Sequence, residues 1–309
     1  MKRAMLVGGA VALMLVAAAC GDDSGSSSAT TAAAAATTGA AAATTAAAAA
    51  TTAAAGAAAP TEVKIGMAEY SYSDVPATVA GGLVTVTATN NGKEEHQATL
   101  LRLNDGVTLQ QALGDFAADP NKGFADIQLF GGPNSVAPGA SVSATADLPA
   151  GNYAFVCLIP GSDGIPHAAK GMLAPFTVSA PGGTAAPAPQ SDGQIVTKEY
   201  NFTLPQGFSG NGTFDISNQG EQNHEMAVYA VAPGSTTADV QAFLASTEPP
   251  AGPPPIIPSG GISAAAPGSD IFVHLDLKAG DYVMVCFLPD TKSGAPHFSL
   301  GMIQPFTVS

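Results

Sequence analysis

Tyr153-Ala154-Phe155-Val156-Cys157-Leu158-Ile159-Pro160 is followed by Pro166-His167 and Gly171-Met172, and the same order returns later in the chain. The second copy reads Tyr282-Val283-Met284-Val285-Cys286-Phe287-Leu288-Pro289, then Pro296-His297 and Gly301-Met302. A short apolar run rich in aromatic and β-branched residues, closed by Pro, Gly and Asp, reads as a buried strand leaving into a turn. Both copies finish on Pro-Phe-Thr-Val-Ser.

The duplication extends upstream of these stretches. Glu69-Tyr70 matches Glu199-Tyr200, and the alternating run Leu83 to Asn90 matches Gly212 to Asn218. Each run ends in a polar Asn/Gly turn and then a histidine, His96 or His224, followed by a second strand. Gly131-Gly132 matches Gly260-Gly261, and Asp147-Leu148-Pro149-Ala150-Gly151 matches Asp276-Leu277-Lys278-Ala279-Gly280. From His96 to Cys157 is 61 residues, and from His224 to Cys286 is 62. The pattern predicts an all-β chain with two tandem β-sandwiches, residues 61–179 and 194–309, joined by a Pro/Gly/Ala-rich linker over 180–193. One short helix is expected in each half, where the apolar spacing turns helical. These are Thr108 to Ala118, with Leu109, Leu113 and Phe116, and Thr237 to Ser246, with Val240, Phe243 and Leu244.

Each half offers one early histidine and then a cysteine, a histidine and a methionine. The sets are His96, Cys157, His167 and Met172, and His224, Cys286, His297 and Met302. Imidazole suits Cu(II), while thiolate and thioether suit Cu(I). Two histidines and a cysteine with a distant methionine define an electron-transfer copper geometry. Two readings compete with metal binding. A lone strand cysteine is usually a small buried hydrophobe, and an oxidising compartment favours a Cys157–Cys286 disulfide.

Asn91-Gly92-Lys93-Glu94-Glu95-His96, followed by Cys and by His-x-x-x-x-Met, resembles the cupredoxins, the blue-copper family of plastocyanin and azurin. The resemblance covers the chain from about residue 61. It implies two Greek-key β-sandwiches, each with a mononuclear copper site, and a role in electron transfer. Two departures stand out. The second half has Asn218-Gln219-Gly220 before His224. The loop from cysteine to second histidine is also longer than is usual in the family, with nine intervening residues in the first half and ten in the second. These loops are rich in turn formers, so they are expected to fold back toward the metal.

The N-terminus leads us to expect the protein outside the cytoplasm. Met1-Lys2-Arg3, an apolar run and Ala17-Ala18-Ala19-Cys20 read as an export signal over residues 1–19 that resembles the lipobox of bacterial lipoproteins, with Cys20 as the lipidated residue. Cleavage without lipidation is the alternative. Residues 20–60 are almost entirely Ala, Thr, Ser and Gly, too poor in large apolar side chains to form a core. They read as a tether spanning roughly 30–40 Å as a flexible coil. The chain is thus expected on the outer face of the cell membrane, held there by lipid.

With net charge −14 and only 10 Lys and Arg among 309 residues, the chain is a poor binder of nucleic acid. A redox or copper-exchange protein is the expected partner. No His-x-His pair occurs, no histidine adjoins either strand cysteine, and each cysteine loop holds a single cysteine. Oxidase, nitrite-reductase and binuclear copper chemistry are therefore not expected, and no enzyme activity is assigned. The fifth histidine, His274, lies opposite Ile271, Val273 and Leu275 in its strand and reads as a surface residue. Copper capture or delivery, and a metal-free interaction module, remain the alternatives to electron transfer.

Overall fold

Strict alternation builds the sheets. In Gly82–Asn90, the residues Val84, Val86, Ala88 and Asn90 are buried and those between them face outward. This strand pairs in parallel with Thr61–Ala68 and antiparallel with Ser141–Leu148. Its outer face is a ladder of hydroxyls. Thr85 meets Thr145, Thr87 meets Ser143 and Thr89 meets Ser141, each at 2.8 Å. Every hydroxyl finds a partner across the strand pair, so the polar row adds to pairing.

The computed structural model describes residues 59–246 and 252–309. The export signal, the Cys20 anchor and nearly all of the Ala/Thr tether lie outside the described residues. No helix among the described residues is long and apolar enough to cross a membrane.

Each half is a cupredoxin-like β-sandwich. In the first, the sheet facing Gly82–Asn90 has the strand order Thr78–Ala80, Leu173–Ser179, Gly151–Val156, Thr99–Leu103, Ile127–Leu129. In the second, the facing sheet runs Ile256–Ala265, His224–Val231, Gly280–Val285, Ile303–Val308. The buried sides carry Tyr153, Phe155, Leu148, Met67 and Leu100 in one half and Phe214, Ile216, Ile195 and Leu275 in the other. Burial of such side chains stabilises by about 1.5–3 kcal/mol each.

The two halves do not sit apart on their linker. Ser141–Leu148 pairs antiparallel with Asp270–Asp276 of the second half, Thr145 opposite Phe272 and Ser143 opposite His274. This seam fuses one sheet from each half into a single eight-stranded sheet. The second seam is made by the duplicated glycines. Gly131 N donates to Ala264 O at 2.9 Å, Ser263 N to Gly132 O at 2.9 Å, and Gly260 N to Ser135 O at 2.8 Å. The matched segments therefore run antiparallel against one another, and one core cluster includes residues from both halves.

The glycines are there for space and for backbone shape. Gly132 and Gly261 have φ of 103° and 102°. A Cβ on Gly132 would strike the carbonyl oxygen of Ala98, and one on Gly261 that of Met226. His274 is exposed, as expected, and its Nδ1 lies 3.2 Å from the Thr213 hydroxyl.

The helices differ from expectation in one respect. Leu109–Ala118 starts after Thr108, whose hydroxyl accepts from Gln111 N at 3.2 Å. Thr237–Ala245 starts after a capping box made by Thr236 and Asp239. The first half, however, adds a second helix, Pro120–Ala125. Asp119, which precedes a proline, is driven to extended geometry, φ −156°, so the first helix stops there. Proline is well suited to open the next one.

The glycine seam can be probed by urea unfolding. Gly261→Ala should cost about 3 kcal/mol or more, because strain at positive φ is compounded by a backbone collision. Gly268→Ala, at φ 77° but with open space around it, should cost only about 1 kcal/mol.

Candidate metal centre

In each half, three strand and loop ends meet at one buried point. His96 follows the turn after Gly82–Asn90, Cys157 follows Gly151–Val156, and His167 opens the short 3-10 turn His167–Lys170. All three are at most 1 % exposed. His96 Nδ1 lies 3.1 Å from His167 Nδ1, and Cys157 Sγ lies 3.5 Å from His167 Nδ1. The second half repeats the arrangement. His224 Nδ1 lies 3.1 Å from His297 Nδ1, and Cys286 Sγ lies 3.4 Å from His297 Nδ1. In both halves the three donor atoms fall within 4.8 Å of one another.

The expected return of the long loop is made by backbone hydrogen bonds. In the first half Gly161 N donates to Ile165 O at 2.9 Å, His167 N to Ile159 O at 2.9 Å, and Ala168 N to Cys157 O at 2.9 Å. In the second, Asp290 N donates to Ala295 O at 2.8 Å, His297 N to Leu288 O at 2.8 Å, and Phe298 N to Cys286 O at 2.9 Å. Each loop is thus a small hairpin whose base sets histidine beside cysteine, so its length does not separate the two ligands.

Met172 and Met302 are fully buried. Met172 N donates to His167 O at 2.9 Å and Cys157 N donates to Met172 O at 3.2 Å, with the same two bonds and distances at Met302. Gly171 and Gly301, φ 105° and 117°, end the 3-10 turns in the left-handed region and let the chain enter the last strand.

The turn before the first histidine is also the same in both halves, once the correct asparagine is matched. Asn90, not Asn91, corresponds to Asn218. Asn90 Nδ2 donates to Glu94 O and Val136 O at 2.8 and 2.9 Å, and its Oδ1 accepts from Gly92 N at 2.9 Å. Asn218 does the same with Gln222 O, Ala265 O and Gly220 N. Both turns read Asn-x-Gly, with a buried amide organising the loop, and the second half differs in having Gln219 where the first has Asn91.

Burial sets the charge state of the donors. It holds all four imidazoles below their ordinary range, reinforced by the neighbouring histidine at His96 and His297, and His297 is lowered to about 4. Burial pushes the Cys157 thiol up to about 11 and the Cys286 thiol up further. Burial thus favours the neutral form of each ring and of each thiol. Two neutral imidazoles facing each other through Nδ1 hold at most one hydrogen between them.

The centres fit a copper ion. The donors lie within 4.8 Å of one another, and they are the mixed imidazole and sulfur set copper prefers. The structure thus presents two mononuclear His-Cys-His clusters, each with a buried methionine beside it in the chain. Cys157 and Cys286 are both free thiols. Each belongs to its own histidine pair, and the disulfide alternative does not form.

Carboxylates surround the imidazoles on their far side. Glu199 Oε1 lies within hydrogen-bond distance of His224 Nε2, at 3.2 Å, whereas Glu69 Oε1 lies 3.5 Å from His96 Nε2 without forming a hydrogen bond. Backbone N–H groups of Lys93 and Glu94 hold the Glu69 carboxyl down at about 2. For Glu199, burial pushes upward but is outweighed by N–H groups from its own backbone, Glu221 and Gln222. The second histidines differ between halves. His167 Nε2 lies 3.0 Å from Glu94 Oε2, at an angle short of a hydrogen bond. The matching residue in the second half is Gln222, and His297 Nε2 is buried without a hydrogen-bond partner. The Glu-Tyr pair was visible in the sequence as part of the repeat, but nothing in its spacing tied it to the histidines.

No family model matches the chain, and no curated protein matches it. Among solved structures it is similar to a dithionite-reduced auracyanin from Roseiflexus castenholzii, with 22% identity and TM-score 0.28 over 40% of this chain and 99% of that one. It is similar also to auracyanin A, a "blue" copper protein from Chloroflexus aurantiacus, with 18% identity and TM-score 0.26 over 39% of this chain and 100% of that one. A copper nitrite reductase from Nitrosomonas europaea aligns with 80% of this chain and 93% of its own at 15% identity and TM-score 0.24. At these values the likenesses carry no argument about function.

Free thiols give a direct check. Alkylation of the metal-free protein without reductant should label both Cys157 and Cys286 in urea and label them far more slowly in the folded state. A pair that resists alkylation in urea would point to the disulfide instead.

Proposed function

We propose that the protein is an electron carrier that binds two copper ions. His96, Cys157, His167 and Met172 would hold one, and His224, Cys286, His297 and Met302 the other. The observation that carries this reading is the pair of imidazole Nδ1 atoms 3.1 Å apart beside a buried thiol, made twice from distant parts of the chain. Bound copper supplies a one-electron couple. The chain's own part is to present neutral imidazoles, to release the cysteine proton on loading, and to keep water out of a donor set that is at most 1 % exposed. Ligands anchored at strand ends and by paired loops have little room to rearrange when the charge at the centre changes, which favours fast electron exchange.

The reading takes the protein as a carrier with no catalysis of its own, as the histidine inventory implies. It also places the carrier outside the cell, attached through lipid on Cys20 and reaching from the membrane on the tether. The acidic chain suits a partner with a basic docking face.

Copper-loaded protein should hold two coppers per chain, absorb strongly in the visible from thiolate-to-copper charge transfer, and show a reversible one-electron couple. Cys157→Ser and Cys286→Ser should each remove one copper. A protein that binds two coppers but cannot be cycled would be a capture or delivery protein. One that stays colourless and takes up no Cu(II) in equilibrium dialysis would leave only a metal-free module.

A further inference from the structure

We propose that the dipeptide Glu69-Tyr70, with its repeat Glu199-Tyr200, positions both imidazoles of its centre, the carboxylate setting the proton of the first histidine and the tyrosine ring bracing the second. The inference rests on the copper reading of the two centres and adds to it four residues that are not ligands.

A carboxylate is an acceptor only. Hydrogen-bonded to Glu199 at 3.2 Å, His224 Nε2 therefore carries the hydrogen, which leaves Nδ1 of the same ring with a free lone pair. Glu69 faces His96 Nε2 from the same position at 3.5 Å, a charge contact without a hydrogen bond that favours the same tautomer. That lone pair points to the place where the other imidazole and the thiol converge. The carboxylate is itself held in place. Glu199 Oε1 accepts from Glu221 N at 2.6 Å and Gln222 N at 2.9 Å, and Glu69 Oε1 accepts from Lys93 N and from Glu94 N at 2.9 Å. The contact also needs glycine. A Cβ on Gly92 would lie 2.6 Å from Glu69 Oε1 and 2.8 Å from His96 Nε2, and one on Gly220 would lie 2.6 Å from Glu199 Oε1 and 2.7 Å from His224 Nε2. In both halves, then, the turn glycine is the gap through which carboxylate and imidazole meet.

The next residue serves the other histidine. The Tyr70 ring centroid is 5.0 Å from that of His167 at 64°, and Tyr200 is 5.0 Å from His297 at 58°. The tyrosines are tethered to the residues around the second histidine by different bonds. Lys170 Nζ donates to the Tyr70 hydroxyl at 3.2 Å, whereas the Tyr200 hydroxyl donates to Asp290 at 2.7 Å. What the halves share is the ring against the imidazole. Two consecutive residues in the turn after one strand thus hold two rings that are 71 residues apart in the first half and 73 in the second.

The test changes one half of the full protein and keeps the other as an internal reference. Glu69→Gln retains an acceptor but loses the charge. It should weaken Cu(II) binding in the first half about tenfold relative to Cu(I) and so raise its potential by about 59 mV for one electron. Glu69→Ala should lose the acceptor as well. In metal-free protein, ring nitrogen NMR should then show His96 passing from a single Nε2–H tautomer to a mixture, while His224 keeps its signal. Glu199→Gln and Glu199→Ala should mirror these results in the second half. Tyr70→Phe should leave the His167 ring signals sharp, and Tyr70→Ala should broaden them.

Two bound coppers with unchanged potential in the altered half, and an unchanged tautomer in the alanine variants, would overturn the role of the carboxylate. Equal His167 signals in Tyr70→Phe and Tyr70→Ala would overturn that of the ring. Should the alanine variants not fold, the potentials of the glutamine variants decide the first question. If the wild-type protein takes up no copper, the copper reading fails on its own, and the metal-free tautomers still decide whether the carboxylate orients the ring.

Discussion

Two imidazole nitrogens 3.1 Å apart with a thiol beside them, all of them buried, are the contact around which each centre is built. Two neutral rings can share one hydrogen between their Nδ1 atoms, and burial keeps solvent from competing for it. The same three donors would hold a soft cation in place of that shared hydrogen. The return of the cysteine loops, the buried asparagines of the first turn and the glycines that end the 3-10 turns all hold the donors in this geometry. The cost of holding them in the metal-free state is spread over backbone hydrogen bonds that the fold makes in any case.

The join between the halves bears on both centres. Its hydrogen bonds run through the same segments that abut the ligand loops: Ser263 N to Gly132 O, Gly260 N to Ser135 O and Asn134 N to Gly261 O. Tyr229 of the second half donates to Glu95, the residue before His96, at 2.8 Å. Glu225, the residue after His224, accepts from Phe287 N at 2.9 Å and lies 3.4 Å from Asn134 of the first half. Each first histidine therefore has a sequence neighbour that reaches across the seam. Over the described residues the halves are parts of one packed body rather than beads on a linker.

The two centres share their donors but differ in their surroundings. Glu94 approaches His167 in the first, while Gln222 stands at that position in the second and is taken up by Asp290 and by Thr291 N. Lys170 pairs with Asp163 at 2.8 Å beside the first centre, and its place in the second is taken by Leu300. Duplication preserved what the donors require and let the charges around them diverge.

Much of this was legible in the sequence because both periodicities are short. Alternation in runs such as Leu83 to Asn90 marks strands, and the twofold recurrence of His, Cys and His in register picks out the two clusters that the fold brings together. The helix-spaced apolar residues marked Leu109–Ala118 and Thr237–Ala245, whereas Pro120–Ala125 was lost because six residues carry too little periodicity to register. The sequence by itself determined the β class, the duplication and the donor set, since those depend on residue type and local spacing. Only the tertiary structure decided the rest: the fused sheet through Ser141–Leu148 and Asp270–Asp276, the mutual crossing of the duplicated glycines, and the meeting of Glu69 and Glu199 with their histidines. Each of these depends on the pairing of surfaces far apart along the chain, and such pairing leaves no period in the sequence to read.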